Sequence, residues 1–193
     1  MFYQAREVKK TEDAHLPLSK GLMYEFLIAG NGTFIHSERP GLKAVVPRDS
    51  STRPDLPPIQ PYVRVEKKYR AWMLDEILQV AKAKGNIECL FVLTPESISM
   101  PAQEATIGNV RPLDPYDVIM AKAIFELHSH HEMPARFSPT DNKEETGMRL
   151  YAVIGRIFTQ PEIRVRVGIY GHFWEIPART VFDLPAGFKD ALA

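Results

Sequence analysis

The chain has 193 residues, 45% of them apolar, and its 24 lysines and arginines are matched by 24 aspartates and glutamates. That size and apolar share imply an ordinary globular domain with a packed core plus a small appendage, and they exclude a disordered tail. Zero net charge leaves no summed field for nucleic acid or an anionic membrane, and no apolar run approaches the ~20 residues that span a bilayer. The single cysteine, Cys89, excludes an internal disulfide. With a start, Met1-Phe2-Tyr3-Gln4-Ala5-Arg6-Glu7, that lacks the apolar core of a signal peptide, the expectation is a soluble cytoplasmic protein.

In chain order, Leu22 to Ile28 and Thr33 to His36 read as paired strands. Between them lies Ala29-Gly30-Asn31-Gly32, whose Asn-Gly pair suits the positive φ angles of a hairpin turn. Six of the sixteen prolines then fall between Pro40 and Pro61. Prolines that dense remove ladder donors and favour extended chain, so this stretch reads as a linker. Residues 1–60 are therefore expected to be a small β-rich N-terminal extension able to act as a lid, with the main domain at 61–193.

From Glu66 to Lys84 apolar residues recur at helical spacing (Tyr69, Met73, Leu74, Ile77, Leu78, Ala81), and Gly85 stands where a helix would stop. Ile87 to Leu93 reads as a buried strand, and residues 94–117, broken by four prolines, as loops and short strands. Lys122 to His128 is a second core strand. Arg149 to Phe158 is apolar and fits strand or helix. Ile163, Val165, Val167 and Ile169 alternate with Arg164, Arg166 and Gly168, a strand with one solvated face. Phe173 to Ile176 is one more. Helix, strands, helix start and strands together imply an α+β or α/β sandwich.

The segment with chemical content is Glu126-Leu127-His128-Ser129-His130-His131, followed by Phe137-Ser138-Pro139-Thr140-Asp141. Residues two apart on a strand share a face, so His128 and His130 are able to present both imidazoles to one point. Zinc takes neutral imidazole nitrogen and carboxylate oxygen, and a catalytic zinc keeps one position open for water. Asp141 is the third ligand of this expected site. Ser138-Pro139-Thr140-Asp141 has the form of a helix start, which would fix the Asp141 carboxylate, with Glu144 and Glu145 in the same turn.

His-x-His, seven residues, Ser-x-x-Asp is the signature of the JAMM (JAB1/MPN/Mov34) metalloproteases, and residues 128–141 resemble it without a gap. The resemblance implies an α/β sandwich of the JAB1/MPN, cytidine-deaminase-like type, with a mixed central sheet and flanking helices. It implies one Zn2+ per chain on His128, His130 and Asp141, and hydrolysis of an amide or isopeptide bond. Glu88 is the position that matches the family's general base, which would pass a proton from water to the leaving amine, and Ser138 would donate to the oxyanion. Glu76, inside the expected helix, and Glu126, on the histidine strand, are rivals to Glu88. Leu90 stands where the family commonly has glycine, and His131 where many deubiquitinating members have proline.

Runs near both ends, including Leu150 to Phe158, Gly168 to Pro177 and Met23 to Phe26, resemble the bacterial JAMM proteins called PRTRC system protein A. That likeness implies a ubiquitin-like or sulfur-carrier-like protein substrate and a ThiF/E1-like partner. No further His/His/Cys cluster follows Asp141, so the second-zinc insertion of chain-specific deubiquitinases is missing. The competing functions are a catalytically silent binding module on the same fold, and a small-molecule amidase. Outside the motif, His131 reads as a solvated loop residue or substrate contact, His15, His36 and His172 as structural or exposed, Cys89 as packing, and Arg164 and Arg166 as a solvated strand face.

Overall fold

The computed structural model describes residues 2–192. Its first five strands, β1 (Tyr3–Glu7), β2 (Tyr24–Ala29), β3 (Gly32–Arg39), β4 (Leu42–Asp49) and β5 (Tyr62–Val65), form one sheet in chain order. All pairs are antiparallel except β1 with β2. The β2–β3 hairpin falls where the sequence put it, with Ala29 opposite Gly32. Its turn differs in kind: Gly32 takes a φ of 146°, whereas Asn31 does not enter the left-handed region. Instead the Asn31 side chain clips the later chain, donating to the Ile59 carbonyl (2.9 Å) and accepting from its N–H (3.0 Å). Gly30 is glycine for a steric reason, because a Cβ there would lie 2.2 Å from the Leu56 carbonyl oxygen.

The proline-dense stretch is not a linker. Strand β4 runs through it, and Pro47 sits beside a slip in the β3–β4 register between Thr33 and Phe34. A bulge leaves a residue without a ladder bond, which is where a strand tolerates proline. The sheet continues to Val65, beyond residue 60. Its inner residues Ile35, Leu42, Ala44 and Val46 belong to the same buried cluster as the rest of the protein. The N-terminal sheet is therefore fused to the body by a continuous apolar core and has no free hinge.

Helix α1 (Ala71–Ala83) buries Met73, Leu74, Ile77 and Ala81, the stripe expected from the spacing, and Gly85 follows it at φ 67°. Tyr69 lies before the helix, its ring packed against Phe125 (4.8 Å between centroids) and Phe182 (5.4 Å). The second sheet comprises β6 (Leu90–Leu93), β7 (Ile98–Ser99), β10 (Phe125–Ser129), β11 (Met148–Gly155), β12 (Glu162–Ile169), β13 (His172–Ile176) and the short β14 (Lys189–Asp190). Its order is β13-β12-β11-β10-β6-β7, with β14 against β12. Between β7 and β10 come a hairpin, β8 (Gln103–Ala105) with β9 (Val110–Pro112), and helix α2 (Val118–Lys122). Helix α3 (Pro139–Glu144) links β10 to β11. The fold is thus α+β, with a mixed sheet in which β10 and β11 run parallel.

Arg149–Phe158, which fitted strand or helix, resolves as strand β11 up to Gly155, and Arg156, at φ 52°, turns the chain out of it. Helix α2 had no signal: it is one turn long, exposes Val118 and Ile119, and is started by the Asp117 carboxylate accepting from the Ile119 N–H (2.7 Å). Along β10, β11 and β12 one face (Leu127, Ala152, Val165) points into the common core with α1. The other carries Glu126, His128, Arg149, Tyr151, Arg164 and Arg166. No described helix is long and apolar enough to cross a membrane.

Candidate functional site

The polar face of the second sheet opens into a cleft of about 1040 Å³. Its floor includes Glu88, His128, His130 and Asp141, and its walls come from the β8–β9 hairpin, the α2 segment and the end of α3. No residue before Glu88 lines it, so the N-terminal sheet is not a lid over this cleft.

Strand alternation positions the histidines. Phe125, Leu127 and Ser129 are buried, while Glu126, His128 and His130 face the cleft. The His128 and His130 rings stand 5.1 Å apart. Register positions Glu88: β6 runs antiparallel to β10 with His128 opposite Leu90, so two residues further on Glu88 meets His130. The Glu88 Oε1 lies 3.8 Å from His130 Nε2. Cys89, between them in sequence, turns into the core and donates its N–H to Ser129 Oγ (3.0 Å). Leu90 lines the cleft and packs on Val92, Met120 and Ala123.

Asp141 arrives by a different route. Ser138 is the N-cap of α3, with Pro139 at the first helical position. The Ser138 Oγ accepts from the Asp141 N–H (3.2 Å), and the Ser138 N–H donates to Asp141 Oδ2 (2.5 Å). This reciprocal cap occupies one carboxylate oxygen and leaves the other, Oδ1, 3.7 Å from His128 Nε2. The Ser138 hydroxyl proton is not used by the cap, and Ser138 lines the cleft.

The electrostatics follow from burial. Desolvation holds the His128 pKa below its usual value, against the pull of Asp141, so its ring is neutral with a lone pair to offer. Burial, then the Asp141 charge, pushes Glu88 up to about 7, a value suited to taking and returning a proton near neutrality. The His130 Nδ1 is 3.0 Å from the Pro134 carbonyl, an acceptor only, so Nδ1 donates there and Nε2 is the nitrogen turned to the cleft. Two imidazole nitrogens and a free carboxylate oxygen on one side of a cleft are the donor chemistry of a transition-metal cation.

Comparison with models of known protein families gives no match, and no curated protein sequence matches the chain.

The structure brings Glu88, His128, His130, Ser138 and Asp141 to one cleft. The closest-set donors differ from the expected trio: oxygen or nitrogen atoms of His128, Asp141 and Glu145 lie within 4.8 Å of one another, and His130 stands on the Glu88 side. Of the rivals to Glu88, one is remote from the cleft and the other lines it but is already paired. Glu76 is exposed on α1, and Glu126 pairs with Arg149.

Two readings of polar residues are corrected. His131 is neither solvated nor at the surface: it is 5% exposed, its Nε2 is unpartnered, and its carbonyl accepts from the Ile157 N–H (2.8 Å). Arg166 is not on a solvated face either. It is 4% exposed and sandwiched between Phe137 and Phe173, each ring centroid 3.9 Å from the guanidinium carbon. The loop from His131 to Phe137 and helix α3 cover that face of β12, which strand alternation alone does not reveal. Glu145 is likewise buried; burial pushes its pKa up and Arg166 pulls it back, with Asp141 and Glu144 adding to the upward push. Sequence spacing offered Glu145 only as a carboxylate in the first turn of a helix, four residues after Asp141, whereas α3 is short and Glu145 is its C-cap.

Proposed function

We propose that this protein is a zinc-dependent peptidase or isopeptidase of JAB1/MPN type, acting on an amide bond at the C-terminal tail of a ubiquitin-like or sulfur-carrier-like protein. The observation that carries the reading is the convergence, in one cleft, of paired histidines from a strand, an aspartate from a serine-capped helix and a buried glutamate near pH 7 in its pKa. The sequence resemblance of residues 128–141 supports the same assignment. His128, His130 and Asp141 would hold the zinc, one ion per chain. Zinc in such a site supplies Lewis-acid polarisation of a carbonyl and makes water more acidic.

The chain's own residues do the rest. Glu88, partly protonated near neutrality, accepts a proton from the attacking water and returns it to the leaving amine. Its Oε1 stands 3.8 Å from His130 Nε2, beside the position the metal would take. Ser138 has a hydroxyl proton free to donate to the oxygen on which charge develops; losing such a donor costs ~3 kcal/mol of barrier. The cleft exceeds what one amide group needs, which accords with an extended tail as substrate. A ThiF/E1-like protein is the proposed partner.

The test is elemental analysis of purified protein together with a Glu88→Gln variant. About one zinc per chain, lost in His128→Ala and Asp141→Ala and retained in an inactive Glu88→Gln, is the expected result. An active Glu88→Gln protein would remove Glu88 as the base. A wild type that takes up no zinc would favour a binding module on the same fold.

A further inference from the structure

Glu145 is a carboxylate close to the centre that the proposed ligand set does not use. One of its oxygens is within 4.8 Å of donor atoms on both His128 and Asp141. A carboxylate that close to two of the proposed ligands is within reach of an ion they would hold. A buried carboxylate without a partner is costly, and a nearby cation is its natural partner. Four protein ligands would close the site to water.

Arg166 already occupies that carboxylate. Its Nε donates to Glu145 Oε2 (2.7 Å), and Nη2 lies 2.6 Å from the same oxygen. Its Nη1 donates to Asn142 Oδ1 (2.6 Å), so the guanidinium holds two residues of the α3 segment at once. Phe137 and Phe173 clamp the guanidinium from both faces and keep it from following Glu145 elsewhere. Gly168, two residues along β12, leaves the space this stack needs: a Cβ there would be 2.7 Å from the Tyr151 ring and 3.2 Å from Phe173.

We propose that Arg166 is a positioning residue that withholds Glu145 from the metal, so that the position its carboxylate would fill stays open to water and substrate. The inference rests on the metal reading above. Lysine would not replace arginine here, because a single ammonium lacks the fork that reaches Glu145 and Asn142 together.

Cobalt(II) reports the coordination sphere through its visible spectrum without any substrate. Apo protein is loaded with cobalt(II) as wild type, Glu145→Gln, Arg166→Met and Arg166→Met/Glu145→Gln, with circular dichroism to establish that each is folded. Wild type and Glu145→Gln should share one spectrum. Arg166→Met should shift it while keeping the ion, with turnover of the zinc form down ~10–100-fold. The double variant should return to the wild-type spectrum, a reversal that mere loss of packing would not produce. If Arg166→Met does not fold, Arg166→Lys takes its place with the same expected shift and the same reversal by Glu145→Gln. A changed spectrum in Glu145→Gln alone would make Glu145 a ligand already and overturn the proposal. So would a folded Arg166 variant with an unaltered spectrum. A wild type that binds neither cobalt nor zinc overturns the metal reading itself, a separate outcome.

Discussion

Glu25 tests how a charge buried in the N-terminal sheet contributes to stability. It is 1% exposed, on β2, and accepts from Arg6 Nε and Nη2 (both 3.0 Å) and from Gln4 (3.3 Å), with His36 Nδ1 at 2.8 Å. Burial alone would raise its pKa; the hydrogen bonds from His36, Arg6 and Gln4 outweigh that and lower it from 4.5 to about 2. At 1.36 kcal/mol per pH unit the carboxylate contributes about 3 kcal/mol to folding at pH 7. The folded pKa is depressed, so this stability is fully present above pH ~4.5 and is lost as pH falls toward ~2. In urea unfolding, Glu25→Gln should cost about 3 kcal/mol at pH 7, a midpoint shift of roughly 1.5 M if m is about 2 kcal/mol/M. The gap between wild type and variant should shrink to about 1.4 kcal/mol at pH 3. The site in the second sheet titrates in both proteins and drops out of that difference. A gap that stays constant from pH 6 to pH 3 would refute the reasoning, whatever its absolute size.

Two further outcomes probe the cleft. Alanine at Gly155 would bring a Cβ to 2.3 Å from the Ala135 nitrogen and 2.5 Å from the Met133 oxygen, both main chain. Gly155→Ala should therefore lose about 1–3 kcal/mol in thermal unfolding and also bind zinc more weakly, since the displaced loop carries the Pro134 carbonyl that sets His130. Unchanged melting and zinc affinity would contradict that packing. Removing zinc with a chelator should lower Tm: at a zinc concentration 100 times Kd the ion adds about 2.7 kcal/mol, or roughly 5–10 °C for a chain of this size. Scanning calorimetry should show no such difference in His128→Ala.

Much of the site was legible because it is local. His128 and His130 need only strand alternation, and the Asp141 position needs only a serine-proline helix start three residues earlier. Glu88 followed from a strand expected after α1, although the regular strand begins two residues later at Leu90. What the chain did not disclose depends on partners far away in sequence. Arg166 alternates with buried valines like any solvated arginine, and only the cover of α3 and Phe137 buries it. The prolines between Pro40 and Pro61 hid β4, since their cost to a ladder is cancelled at Pro47 by a bulge visible only once β3 is in register. Glu145 carried no signal beyond its distance from Asp141.

The shared core beneath the two sheets also makes the chain a natural pair of fragments. The stretch 50–55 is exposed and outside any strand, so a nick there would sever the backbone without cutting a ladder. The piece carrying β1 to β4 would present Ile35, Leu42, Ala44 and Val46 as a bare apolar face, and the other piece the matching surface around α1 and the second sheet. Each half would be a sticky, half-finished body whose best partner is the other. Reassembly of the two would then report on itself, because the cleft, wholly on the later piece, regains its rigid backing only when the earlier piece docks.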